Sequence, residues 1–373
     1  MSPVIEVINV TREAAWLPWA VQYFFLIALS VGCFLLSLPG LLGTNPTWLR
    51  IARVALVGAL VCGIAAPVAL LADLHQPGRF WRFYAHPNLN SWMAWGAFFI
   101  PGYLLGLFLY AWAALRPALA EGAGRGVLLR GLWRLVAFPR LRLPTGALLR
   151  LAAFVTLGFA LLVLLYTGME VMVVRARPLW NTPFLPVQFA LTGLVGATGL
   201  ALVLERMLTG HQPAAASLMT RLLVVLVLAT GLVGAAWLAA GLIPWNATHA
   251  AALQSVVGHE AWRLTAIWAG LAAAATIGLA MVPRAGWLAG LLALHACWMF
   301  RWTVFIGGQA VPKTGAGLYA THLPMGHDGL LGILGTGGLC LFLAIAITAL
   351  LPWNQASAAP AARPAGDALP GRA

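Results

Sequence analysis

The sequence predicts an all-α polytopic membrane protein of about nine transmembrane helices, and three observations predict it. The chain is 62% hydrophobic. Only 8% of its residues are charged, against roughly 25% in a soluble domain. Its apolar residues gather into runs of about 20, the length a helix needs to cross a bilayer. A soluble enzyme and a nucleic-acid binder are both excluded, despite a net charge of +13. That charge reads instead as topology and as contact with anionic lipid. Seventeen tryptophans suit two aromatic belts at the membrane surfaces.

The runs fall near residues 17–42, 49–72, 91–115, 147–169, 184–207, 218–243, 261–282, 286–308 and 328–351. The first is preceded by MSPVIEVINVTREAAW, which has neither a basic n-region nor a small-residue cleavage site, so a retained span is expected rather than a signal peptide. LPWAVQYFFLIALSVG at the first span and PFLPVQFALTGLVG at the fifth share a Val-Gln-aromatic core when Gln22 is set on Gln188. An offset of four spans preserves orientation, so this faint repeat is parallel. It implies two four-helix bundles plus one extra C-terminal helix. The expected units are an external segment 1–16, a first bundle 17–172, a second bundle 173–311, a loop and ninth span 312–351, and a tail 352–373. The tail is rich in Pro and Ala and is expected to be disordered.

Fourteen of the 22 lysines and arginines lie on the side of loops 1–2, 3–4, 5–6, 7–8 and the C-terminus, against eight on the other. The positive-inside rule then predicts an outer N-terminus and a cytoplasmic C-terminus in a bacterial inner membrane. Loop 3–4 (Arg116 to Gly146) interleaves arginines with Leu, Val, Trp133 and Phe138, the pattern of an interfacial amphipathic helix.

One polar stretch stands out: DLHQPGRFWRFYAHPNLNSWMAW, from Asp73 to Trp95. It sets Asp73, His75, Arg79, Arg82 and His86 among aromatic residues, and Pro77 and Pro87 argue against one continuous helix. A linker needs none of this, so the stretch is expected to hold something at the outer surface.

Polar side chains within spans are costly and are functional candidates by default. A helix rises about 1.5 Å per residue, which assigns each candidate a depth. Gln22 and Tyr23 lie one to two turns into the first span from its outer end. Asp73 closes the second span there, and Tyr166, Thr167 and Glu170 close the fourth. Three spans thus bring an amide, phenols and two carboxylates to one layer, with His75 and Arg79 above it. Such a set suits a quinone head: Tyr166, His75 or Gln22 can donate to its oxygens, and Asp73 or Glu170 can take protons from a quinol. The competing structural reading has Asp73 cap the loop that enters the third span or pair with Arg79, and pairs Glu170 with Arg175. Further in, His295 and Arg301 of the eighth span admit either a proton path or a structural bond, and Glu205, which closes the fifth span at the cytoplasmic face with Arg206, reads as an interface pair or a proton entry. His322 and His327, in the loop before the ninth span, are expected to be solvated or to dock a partner.

No haem is expected, because a bis-histidine site needs two inward histidines at matching depth and only His295 is clearly mid-span. Cys33, Cys62, Cys297 and Cys340 lie singly in apolar runs, so neither a disulfide nor a cysteine-held metal is expected.

At this point DLHQPGRFWRFY, SWMAWGAFF, the YTGMEV and RARPLW run, and RWTVFIGGQ together resemble the NrfD/polysulfide-reductase membrane-subunit family. LPWAVQYFF with DLHQPGRFWRFYAHP is most similar to its tetrathionate-reductase branch. The resemblance covers the first four spans well and the next four loosely. It implies a haem-free, quinol-oxidising anchor using menaquinol or ubiquinol. The implied partners are an iron–sulfur ferredoxin-like subunit docked on the outer face and, through it, a molybdopterin subunit reducing tetrathionate or a related sulfur compound. The family's quinone pocket uses a polar residue of the first span, an acid ending the second and a tyrosine late in the fourth; Gln22, Asp73 and Tyr166 match these. Gln22 stands where some relatives have Asn or His, and smaller relatives lack a ninth span. Two other classes stay open: a secondary transporter, which would place its polar site near mid-membrane, and a purely structural anchor.

Overall fold

The computed structural model describes residues 16–122, 127–137, 145–243, 247–311 and 322–357. Among these, nine helices are long and apolar enough to cross a membrane, and there is no strand. They are α1 (Pro18–Leu42), α2 (Pro46–Asp73), α3 (Trp92–Glu121), α4 (Thr145–Met172), α5 (Phe184–Leu208), α6 (Pro213–Leu242), α7 (Glu260–Met281), α8 (Gly286–Ala310) and α9 (Leu330–Leu350). The chain is therefore a multi-pass, all-α membrane protein. The expectations for residues 1–15 and 358–373, and for much of the basic 3–4 loop, lie outside the described residues.

Local chemistry explains where the helices begin. Pro18, Pro46 and Pro213 stand at the first helical turn, where the missing N–H is no loss and φ is already helical. Asn45 caps α2, its Oδ1 accepting from the N–H of Thr47 at 2.9 Å and of Trp48 at 3.3 Å. α3 runs six residues beyond the apolar stretch that predicted it. Arg116 is accommodated because its guanidinium lies 5.4 Å over the Trp112 ring and its Nε donates to the Ala137 carbonyl at 3.3 Å. Gly122, at φ 59°, then ends the helix.

Burial separates centre from periphery. The apolar window is 72% buried by protein in α1 and α2 and 61% in α5, but only 11% in α6 and α7. The outer helices thus leave their apolar faces for lipid. One continuous apolar core runs through both halves of the chain, with α5 packed on α1, α2 and α4 as well as on α6 and α8. α5 and α8 approach backbone to backbone: a Cβ on Gly199 would sit 2.5 Å from the Gly290 carbonyl oxygen, and one on Gly290 2.6 Å from that of Gly199. This is small-residue packing, which compensates for the weak hydrophobic drive between helices in lipid.

α1 and α3 are joined by two polar rungs. Ser30 Oγ meets Tyr103 Oη at 2.8 Å, and Ser37 Oγ meets Tyr110 Oη at 2.9 Å. The spacing of seven residues on both helices, two turns each, puts both rungs on one seam and shows that the two helices run the same way.

The predicted amphipathic segment contains a helix over Val127–Ala137. It is anchored by Trp133, which is buried and donates its indole N–H to the Leu350 carbonyl at the end of α9 (3.0 Å). The ordered chain also continues into the stretch expected to be a tail. Ala356 is fully buried, its carbonyl accepts from Arg53 Nε at 3.0 Å, and the N–H of Ser357 donates to the Ala114 carbonyl at 3.1 Å.

Candidate functional site

The candidate residues come from three helix ends that meet at the same face of the fold. α1 begins there, and Gln22 and Tyr23 follow about a turn inside, at 5% and 1% exposure. α2 ends there at Asp73, whose Oδ1 accepts the N–H of Leu17 at 3.4 Å. α4 also ends there, with Tyr166 3% exposed and Glu170 one turn further on the same helix face. Tyr166 lies against Gly96 of α3, whose missing side chain leaves room for its ring. Tyr23 is the neighbour of both Tyr166 and Glu170, and Glu170 lies within electrostatic range of Asp73.

Polar atoms in this cluster are left without partners. By hydrogen-bond geometry Gln22 Nε2, Tyr23 Oη and Glu170 Oε2 are buried and without a partner, although Tyr23 and Glu170 both lie close to the Tyr166 hydroxyl. Burying such a group unsatisfied costs about 1–3 kcal/mol each, and native interiors rarely leave polar groups so. Gln188 Oε1 and Arg301 Nε are left likewise elsewhere, but here three such atoms from α1 and α4 gather at one face, where a ligand can supply what the protein does not.

His75 and Arg79 are placed differently from the rest. Both are exposed, and with Arg82 and His86 they line a surface cleft of about 830 Å³ in the 74–94 connection. The cleft walls also include Phe80, Trp81, Phe83 and Ala94. None of Gln22, Tyr23, Asp73, Tyr166 and Glu170 lines it. Cleft and cluster adjoin through Asp73–Leu74 and through α3, where Ala94 faces one and Gly96 the other. The 74–91 connection is built from short turns, Pro77–Arg79 and Arg82–Ala85, as its prolines require.

The ion pairs of the structural alternative are not what forms, although Asp73 does take a backbone N–H at the start of α1. Among the described residues the ion pair present is His327–Asp328, Nε2 to Oδ2 3.0 Å; Asp73 does not pair with Arg79, nor Glu170 with Arg175.

The remaining candidates lie elsewhere. Arg301 is fully buried between α8 and α5, where Nη2 donates to the Phe189 carbonyl at 2.8 Å and Nη1 to Thr192 Oγ1 and the Cys297 carbonyl. It cross-links helices and, among the described residues, forms no ion pair with a carboxylate. Glu205 accepts the N–H of Gln212 at 2.8 Å and closes the turn from α5 into α6. His295 is on the exposed face of α8, edge-on to Trp268 at 4.9 Å between ring centroids. Gln188, the counterpart of Gln22 in the faint repeat, is also buried one turn into its helix; its Nε2 donates to the Thr230 carbonyl at 3.0 Å, while its Oε1 is buried without a partner. Among the described residues no three His, Cys, Asp or Glu side chains come together as a metal site.

Several residues with a part in this end of the fold are not singled out by depth or charge, although they lie in the RARPLW and RWTVFIGGQ stretches that carry the family resemblance. Gln309 of α8 holds both backbone groups of Trp16: Oε1 accepts its N–H at 2.9 Å and Nε2 donates to its carbonyl at 2.8 Å. Arg177 Nη1 donates to the Gly308 and Val311 carbonyls, at 2.8 and 2.9 Å. Trp180 donates its indole N–H to Val304 at 2.8 Å, inside a π-helical turn over Thr303–Gly307. Such a turn frees carbonyls from the regular ladder, and these side chains take them up. The start of α1, the α4–α5 connection and the end of α8 are thereby locked together beside the cluster.

Comparison with known proteins decides the family. A profile described as "Polysulphide reductase, NrfD" matches residues 6–313. The chain belongs to the NrfD family. Along 352 residues it is 35% identical to the C subunit of tetrathionate reductase from Salmonella typhimurium, covering 92% of this chain and 94% of that one. It is 25% identical to the C subunit of selenate reductase from Mesobacillus selenatarsenatis over 62% of this chain and 57% of the relative. To protein NrfD of Escherichia coli it is 28% identical over 48% of this chain and 56% of the relative. This NrfD-family chain is accordingly similar, over nearly its whole length, to a membrane subunit of a reductase, and two of these relatives are named as C subunits.

Proposed function

We propose that this subunit oxidises quinol within the cluster of Gln22, Tyr23, Asp73, Tyr166 and Glu170, at the outer face of the membrane. Tyr166 and Gln22 hold the quinol oxygens, and Asp73 with Glu170 receives the protons. Electrons leave for an iron–sulfur subunit docked over the 74–91 and 173–183 connections, and through it reach a molybdopterin subunit. His75 and Arg79 face that partner and the mouth of the site. The tetrathionate reductase relative, similar over nearly its whole length, favours tetrathionate or a related sulfur compound as the terminal acceptor.

The observation that carries this reading is the set of unpartnered buried atoms, Gln22 Nε2, Tyr23 Oη and Glu170 Oε2, beside Tyr166. A structural anchor gains nothing from them, whereas a ring with two oxygens, each able to donate or accept, satisfies them. Exposed Phe80, Trp81 and Tyr84 on the 74–91 connection supply apolar surface for docking.

The test compares two electron inputs in the purified complex. Asp73→Asn and Tyr166→Phe are expected to lower quinol-driven reduction of the acceptor by about 100-fold, within the range for lost general acid–base groups. Reduction driven by a viologen dye, which bypasses this subunit, is expected to be unchanged. Full quinol-driven rates in both variants would leave the cluster without a part in the reaction.

A further inference from the structure

Asp328 lies just before α9, and its two carboxylate oxygens have different partners. Oδ1 accepts the indole N–H of Trp19 at 3.3 Å, and Oδ2 lies 3.0 Å from Nε2 of His327. Trp19 belongs to the first turn of α1, the turn entered at Leu17, whose N–H goes to Asp73. The opening of α1 therefore holds two carboxylates, Asp73 from α2 and Asp328 from the α9 side, within electrostatic range of each other. Asp73 is in range of Glu170 in turn, and Glu170 Oε2 is buried and unpartnered. At the far end the His327 side chain is 87% exposed and that of Asp328 43%.

We infer that Asp328 and His327 are the outlet of a proton relay that runs from Glu170 and Asp73 through Asp328 to His327 and water. The inference rests on the quinol-oxidising reading of the cluster and adds the contribution of the α9 segment to it. Quinol becomes quinone by losing two electrons and two protons; the electrons leave for the iron–sulfur partner subunit. Each quinol O–H bond breaks as an O–H bond forms on a carboxylate of the cluster. That proton then passes to Asp328 and the His327 imidazole, which restores the first carboxylate, and water takes it from His327. Every member ends the cycle as it began, so no further reactant is required.

An imidazole suits the last position because its two ring nitrogens let it take up a proton on one and release one from the other. The groups facing Asp73 are Glu170 from α4, Asp328 from the α9 side and His75 from its own connection. His75 is exposed and is thus the rival outlet.

The experiment uses the whole complex with its partner subunits in liposomes, with quinol-driven and viologen-driven rates measured side by side. Asp328→Asn and His327→Ala are expected to slow the quinol-driven rate about 10- to 100-fold, raise the solvent deuterium isotope effect, and spare the viologen-driven rate. Free imidazole in the buffer is expected to restore His327→Ala, as a diffusible base replaces a missing one. Should Asp328→Asn fail to assemble, His327→Ala decides, since its side chain is almost wholly in water. A wild-type quinol rate in His327→Ala, a loss that imidazole does not repair, or an imidazole-repaired loss in His75→Ala alone would overturn the relay. If the unaltered complex oxidises no quinol, the quinol reading itself fails; if it does and Asp328→Asn keeps pace, only the relay fails.

Discussion

Gly96 and Tyr166 share one contact surface: a Cβ on Gly96 would lie 2.3 Å from Cε2 and Cζ of the tyrosine ring and 2.7 Å from its hydroxyl. No real side chain fits at those distances, so α3 sets where the Tyr166 hydroxyl stands. Gly96→Ala must displace the ring, and overpacking of this kind costs about 1–3 kcal/mol. The expected outcome is a complex that assembles, with a somewhat lower thermal midpoint and a quinol-driven rate at least about 10-fold lower, because a shift of about 1 Å in a positioned group is enough. Comparing that rate with the viologen-driven rate checks it. An unchanged quinol rate would mean that the hydroxyl position is immaterial.

Arg301 offers a contrasting case. Its donors go to carbonyls and a hydroxyl of α5 and α8, and its Nε has no partner. The α5 and α8 carbonyls lie within helices, so removing the guanidinium leaves no helix end unsatisfied. Removing a buried charge that has no ionic partner also removes its desolvation cost, and an apolar side chain of similar volume keeps the packing. Arg301→Met is therefore expected to keep its thermal midpoint and its quinol-driven rate within about twofold. Arg301→Ala opens a cavity and is expected to lose about 2–5 kcal/mol, seen as an earlier thermal transition. A fall in rate with Met and no fall in stability would instead assign the charge a part in the chemistry.

The number, order and approximate bounds of the helices were legible because hydropathy over about 20 residues is a strong local signal. The overrun of α3 was not, because Arg116, Pro117 and Glu121 lower the local hydropathy while the indole of Trp112 makes the arginine tolerable. Depth along a helix, a one-dimensional quantity, brought Gln22, Tyr23, Asp73, Tyr166 and Glu170 to one level. It could not say that His75 and Arg79 line a separate surface cleft, since the path of a proline-broken connection depends on what it packs against. Nor could spacing find Asp328 beside Trp19, 309 residues away, or Gly96 under Tyr166. Those are tertiary pairings between helices, and a single sequence carries no signal for them.

Gln309 makes a sharper prediction about stability than its position at the end of α8 suggests. Its amide serves the N–H and the carbonyl of Trp16, and Nε2 also donates to the Phe305 carbonyl at 2.9 Å. Gln309→Glu keeps shape and acceptor but can no longer donate. Leaving buried backbone carbonyls without a donor, with a charge beside them, costs about 2–3 kcal/mol. The measurement is the thermal midpoint of the detergent-solubilised complex, which is expected to fall. A midpoint equal to wild type would mean that the start of α1 is held by the Trp16 ring stacking on Phe305 and Phe24 and not by the amide.

The backbone-to-backbone approach of Gly199 and Gly290 tests whether α5 is the member on which assembly depends. A Cβ at position 199 would meet the Gly290 carbonyl oxygen at 2.5 Å, and that oxygen belongs to a helix backbone and cannot swing aside. Gly199→Ala must push α8 outward by several tenths of an ångström. Gly199→Val adds two further carbons at the same point. Because α5 also packs on α1 near Gly32 and Ala197, an outward shift of α8 also loosens the contact of Phe305 with Phe24. The expected series is a modest loss of thermal midpoint for Ala and, for Val, little monodisperse protein recovered from membranes. In the Ala variant the quinol-driven rate should fall less than in Gly96→Ala, since Gly199 lies about three turns from the level of Gln188 and far from Tyr166 along the helix axis. Equal recovery of the Val variant and the wild type would show that the α5–α8 crossing can open without consequence, and that α5 is not the helix holding the two halves together.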